Sequence, residues 1–166
     1  MGEFFKVGEK MIYCNYNTDK DKNKKNLLEQ IDNLDLRMLN NQEIKTLADN
    51  LFKLFKKSFE SNSYIEMDNI SKKCKEITTS FLINKFKNDE YYIETVIDIA
   101  CFVFEQMYMY DEKVSVLKTV IKLDTLNKTY KVRAIEELLS PEPEIQQLIL
   151  AETDELRALL NRLLIE

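Results

Sequence analysis

Apolar positions recur at steps of three and four residues over most of the chain, the spacing that gathers side chains on one face of an α-helix. Leu27, Ile31, Leu34 and Met38 predict a first helix over about 24–39. Asn41 is a candidate N-cap for a second, with Ile44, Leu47, Leu51, Leu54, Phe55 and Phe59 on one face to about residue 60. A third helix, about 67–86, places Ile70, Cys74, Ile77 and Phe81 on its inner stripe. Cys74 reads as core filler there, since a free cysteine behaves as a small hydrophobe. The fourth, about 89–109, is apolar nearly all round, with Glu94, Asp98 and Glu105 confined to a narrow stripe. That pattern predicts a central helix whose stripe is its solvent edge. Shorter helices follow over about 112–123, with Val114, Leu117 and Ile121 inward, and about 127–139, with Ile135 and Leu138 inward. A last one is expected to start with Ser140 as cap and Pro141 in its first turn, and to continue through the C-terminal residues.

Two short apolar runs around Gly8, Phe4-Phe5-Lys6-Val7 and Met11-Ile12-Tyr13-Cys14, break the helical pattern; aromatic and β-branched residues on either side of a glycine predict a two-stranded ribbon. The polar stretch 15–26 reads as a loop. Between Gly8 and Pro141 lie 132 residues without glycine or proline, the two residues on which most hairpin turns depend. The fold class that follows is all-α: a single-domain helical bundle around an apolar central helix, with a short N-terminal β-ribbon or extended arm. Its organisation is an arm and polar loop over 1–26, a bundle core over 27–139 and an acidic, leucine-rich C-terminal helix over 140–166.

Composition removes much chemistry. The chain has no histidine, which excludes imidazole acid/base catalysis, Ser-His and Cys-His nucleophile pairs and imidazole-dependent metal sites. Its only glycines are Gly2 and Gly8, so no glycine-rich phosphate loop can form. Three cysteines, Cys14, Cys74 and Cys101, fit free thiols in a reducing compartment. Residues 1–14 are interrupted by Glu3, Lys6, Glu9 and Lys10 and do not resemble a signal peptide. The most apolar stretch, 91–109, holds three carboxylates, which argues against a membrane span. The expected location is the cytoplasm.

The remaining polar constellations favour structure over chemistry. Asp19, Asp21 and Asn23 match the first three ligand positions of an EF-hand loop, but Lys24 stands where the turn glycine belongs and Gln30 where the bidentate glutamate belongs. Glu94 and Asp98 share a helical face without the Glu-x-x-His that a di-metal bundle adds. Lysines at 20–25, at Lys53, Lys56 and Lys57, and at Lys72, Lys73 and Lys75 would suit a nucleic-acid-associated subunit if they converged, and otherwise read as solvated helix faces. No catalytic, cofactor-binding or metal-ligating residue is assigned, and no membrane partner.

The strongest anomaly is a change of composition. Residues 1–132 balance 21 acidic against 21 basic side chains, whereas 133–166 hold 8 acidic and 3 basic and carry the whole net charge of -5. Every lysine lies at or before Lys131. Past that point Ile145, Ile149, Leu156, Leu159 and Leu163 follow near-heptad steps, widened by Leu148, Leu160 and Leu164. Leu156, Leu159, Leu160, Leu163 and Leu164 cover more of a helix than one packing surface usually uses. They are the candidate partner-binding residues. The expected function is a non-catalytic protein–protein interaction module, an adaptor or regulator acting through its C-terminal helix on another protein or on a second copy of itself; a helical subunit of a nucleic-acid-associated complex is the alternative.

Overall fold

The computed structural model describes residues 2–7, 10–15, 29–81, 89–124 and 127–165. Leu27, the Asp19, Asp21 and Asn23 triplet and the lysines of 20–25 lie outside the described residues. The chain divides into two compact units, Met1–Ile77 and Thr78–Glu166. From residue 29 onward every regular element described is helical, and among the described residues no helix is long and apolar enough to cross a membrane.

In the first unit, strands β1 (Gly2–Val7) and β2 (Lys10–Asn15) pair antiparallel, Gly2 opposite Asn15 and Val7 opposite Lys10. β1 runs beside helix α1 (Asn41–Glu60). The helix expected over 24–39 is cut short. Residues 29–32 are helical, the chain turns, and Leu36–Met38 form a separate 3-10 turn. Asp35 is the cause: its carboxylate accepts the backbone N–H of Arg37 at 3.0 Å and the Arg37 guanidinium at 2.9 and 3.0 Å. Such local side-chain bonding competes with helix continuation. Ile31, Leu34, Leu36 and Leu39 are buried, while Met38, expected inward, is 82% exposed.

The cap of α1 is Asn40 rather than Asn41. Asn40 Oδ1 accepts from the Glu43 N–H and Glu43 Oε2 from the Asn40 N–H, at 3.0 and 2.9 Å, a reciprocal capping box. Ile44, Leu47, Ala48, Leu51, Leu54 and Phe55 fill the inner face, while Phe59, expected on it one turn further on, is 39% exposed at the end of the helix. α1 ends where the Ser63 N–H reaches the Ser58 carbonyl at 2.8 Å, with Asn62 between them at φ 54°. This left-handed cap is usually glycine, with asparagine the common substitute. The next helix, α2 (Tyr64–Phe81), begins immediately and buries Met67, Ile70, Cys74 and Ile77.

The second unit is built on α3 (Glu90–Asp98), capped by Asp89, which passes into a π-helical stretch over Ile99–Phe104. Tyr92, Ile93, Val96, Ile97, Ile99, Ala100, Val103 and Phe104 along it are at most 1% exposed. α4 (Tyr110–Ile121) packs against α3, the π-helical stretch, α5 (Lys128–Leu138) and α6 (Pro143–Leu148). α7 (Thr153–Ile165) packs against α5.

The expected single C-terminal helix is therefore two helices. Pro143, not Pro141, takes the first turn of α6, and the chain breaks at Ile149 into a 3-10 turn, Leu150–Glu152, before α7. One straight rod could not lie along both neighbours. The break lets α6 follow α4 and α7 follow α5, with Ile145, Ile149 and Leu156 all buried.

Candidate functional site

The five C-terminal leucines do not share one environment. Leu156 is buried at 8% exposure and belongs to the core. Leu159, Leu160 and Leu163 are half-buried, and Leu164, at 62%, stands in solvent beside Ile165. The packing of α7 on α5 has already taken Leu156 out of water, save where its edge lines the groove beside the helix.

That groove is a cavity of about 540 Å³ between the C-terminal end of α4 and the start of α7. Ile121, Leu156 and Leu159 supply its apolar lining, Lys118 and Lys122 its α4 wall, and Glu152 and Glu155 its α7 wall. Lys118 reaches across to Glu152, 2.7 Å from one carboxylate oxygen and 2.9 Å from the other. The structure thus brings Leu156 and Leu159 together and leaves Leu160, Leu163 and Leu164 out of the groove lining. The sequence reading missed the α4 wall. Its signal was Lys118 and Lys122 four residues apart, with Ile121 between them on the flank of the apolar stripe.

The carboxylate stripe of Glu94, Asp98 and Glu105 is a solvent edge only in part: Glu94 is exposed, whereas Asp98 pairs with Arg133 of α5 at 2.6 Å, and Glu105 and Glu137 both hold Lys113 of α4, at 2.5 and 3.2 Å. Lys113 is only 1% exposed. It shares a helical face with Val116, Leu117 and Val120, and a lysine inside an apolar stripe was the overlooked sign of a buried ion pair. Burial works against its charge, but the bonds to Glu105 and Glu137 outweigh it and raise Lys113 above the ordinary lysine value. Beside the cluster, burial and the neighbouring Glu137 push the Cys101 thiol up to about 12. Burial alone raises Cys74 still further. Neither thiol is activated as a nucleophile at neutral pH. The seam ties α3, α4 and α5 together. Among the described residues no group of three or more Cys, Asp and Glu side chains is placed to hold a metal ion.

The lysine trios have local occupations. Lys53 pairs with Asp49 at 2.7 Å and Lys72 with Asp68 at 2.6 Å, each one turn along its own helix. Lys56 sits 4.5 Å from the Phe52 ring centroid. Lys73, expected on a solvated face, is 5% exposed; its ammonium donates to the Leu34 carbonyl at 3.1 Å and to Glu76 at 2.9 Å. It satisfies a carbonyl left open where the 29–32 helical turn ends. Comparison with protein families, with curated proteins and with solved structures finds no match to this chain.

Proposed function

We propose that the protein is a non-catalytic interaction module, an adaptor or regulator in the cytoplasm, that binds a protein partner through α7 and the groove beside it. The helices are read as a bundle that presents this surface, with the N-terminal strand pair as an accessory arm. One observation carries the reading: after α7 has packed on α5, Leu159, Leu160 and Leu163 are still half-exposed, Leu159 opens into the groove, and Leu164 and Ile165 are 62% and 87% exposed. Burying one such side chain at an interface contributes about 1.5–3 kcal/mol. Four or five together supply the apolar centre of a specific interface, and the flanking charges supply its rim.

The test is the double substitution Leu159→Glu with Leu163→Glu. Both sites are half-buried, so the thermal melt of the variant should stay within several degrees of the wild type while the partner, or self-association, is lost by at least about a hundredfold in affinity. Unchanged association by the folded variant overturns the reading.

A further inference from the structure

The groove has walls of opposite sign, and this restricts what can lie in it. Lys118 and Lys122 line the α4 side, Glu152 and Glu155 the α7 side, with Ile121, Leu156 and Leu159 between them. Lys118 and Glu152 are paired with each other across the opening. Lys122 and Glu155 have no ion-pair partner among the described residues. A surface with one basic and one acidic wall is complementary to itself under the right two-fold rotation. An axis lying across the groove would set lysine over lysine and glutamate over glutamate. An axis running along the groove sets the basic wall of each copy over the acidic wall of the other and brings the two apolar floors face to face. A foreign segment would have to carry the same charge pattern independently, whereas a second copy carries it by construction.

We propose that this groove is the interface of a symmetric dimer, with the two-fold axis along the groove. Lys122 of each copy pairs with Glu155 of the other, and the Leu159 side chains meet across the axis. The inference rests on the reading of α7 as a protein-binding face and names its occupant.

The experiment is sedimentation velocity on the full chain across a wide concentration range, for wild type, K122E, E155K and a one-to-one mixture of the two variants. Wild type should dimerise, and its dissociation constant should rise as salt goes from about 0.05 to 0.5 M, because the rim pairs are screened. Each single reversal gives positions 122 and 155, the two not engaged in the Lys118–Glu152 pair, the same sign, so the cross-axis pairs become repulsive and the dissociation constant should rise by about tenfold or more. In the mixture two acidic positions, 122 and 155 of K122E, meet two basic ones, 122 and 155 of E155K, so dimers should return. Both substitutions lie at the groove rim, and their melts should match the wild type; if either variant is unfolded, the salt dependence of the wild-type dimer decides instead.

A wild type that is monomeric throughout, reversals without effect, or a mixture that stays monomeric overturns the dimer. Salt-independent wild-type dimerisation does the same. Adding the Leu159→Glu with Leu163→Glu variant and a partner capture distinguishes this from failure of the parent reading: a monomeric chain whose captured protein partner is lost on that double substitution retains the interaction surface with a different occupant. If neither self-association nor partner capture responds to those leucines, both readings fall.

Discussion

At the scale of single residues, the scarcity of glycine has left a mark at Tyr108. The helix from Glu90 ends with the Met109 N–H bonded to the Phe104 carbonyl at 2.7 Å, which requires a left-handed residue between them, and Tyr108 takes it at φ 55°. Asn62 fills the same role after α1 at little cost, but a tyrosine pays the Cβ clash in full. Its ring is 80% exposed and, among the described residues, makes an edge contact with Tyr110 at 6.3 Å, so little is lost by removing it. Tyr108→Gly should therefore stabilise the protein by about 0.5–1 kcal/mol, read as a higher urea midpoint at unchanged slope. A lower midpoint would show that the ring contact outweighs the backbone strain. Lys113 gives the opposite case. Lys113→Met leaves Glu105 and Glu137 facing each other, and because both are about a third exposed the loss should be about 2 kcal/mol rather than the larger figure for a sealed pair. Folding raises the Lys113 pKa, so its contribution is complete below the ordinary lysine value of about 10.4 and is lost as pH rises through the higher folded value. The difference in melting temperature between wild type and variant should accordingly be constant near neutrality and close above that range; a gap that persists undiminished in strong alkali would refute the assignment. Cys101 offers a chemical check. With its pKa at about 12, about one thiol in ten thousand is ionised at pH 8, against about a quarter for an unperturbed cysteine. Alkylation at Cys101 in the folded chain, followed by mass spectrometry, should be more than a hundredfold slower than in denaturant.

At the scale of elements, local signals and tertiary packing divide the work. The three-and-four spacing located α1, α4 and α5 to within a few residues, because a buried face on a helix imposes that spacing wherever the partner lies; the helix expected over about 89–109 is α3 and the π-helical stretch together, and the expected end of the third helix at about 86 lies outside the described residues. It misplaced the first helix and the last. Leu27 to Met38 keeps the helical step, yet Asp35 and Arg37 stop the helix by bonding within a turn of their own, and a period of apolar residues contains no information about that competition. The near-heptad step from Ile145 through Ile149 to Leu156 likewise conceals the break at Ile149, where α6 and α7 turn to follow different neighbours. The same division splits the leucines of α7. Leu156→Ala should cost about 2–3 kcal/mol, since it empties a core position, whereas Leu164→Ala should change stability by less than about 0.5 kcal/mol. Equal losses in paired denaturation curves would mean that α7 sits with a different face inward.

For the whole molecule, each compact unit has its own apolar centre, Ile44, Leu47, Leu51 and Phe55 in the first and Ile93, Val96, Ile97 and Ala100 in the second. Amide exchange should be slowest at 47–54 and 96–100 and, among the described residues, faster at the junctions Leu36–Met38 and Leu150–Glu152, where the helical hydrogen-bond ladder is interrupted. Fast exchange at 96–100 would contradict the burial of α3. What the sequence determined by itself is the helical class, most of the positions that face inward, with Met38 and Phe59 as exceptions, the inert setting of Cys74 and the concentration of acid after residue 132, all consequences of composition and of spacing along the chain. Tertiary structure alone decided the rest. Whether Lys113 and Lys73 are solvated or buried depends on acceptors at Glu105, Glu137 and Leu34, which lie 8, 24 and 39 residues away in the chain. The α4 wall of the groove joins Lys118 to Glu152 across 34 residues. Periodicity reports which side of a helix avoids water; it holds no record of which distant side chain arrives to meet it, and the groove, the ion-paired seam and the division of labour among the five leucines all rest on that second fact.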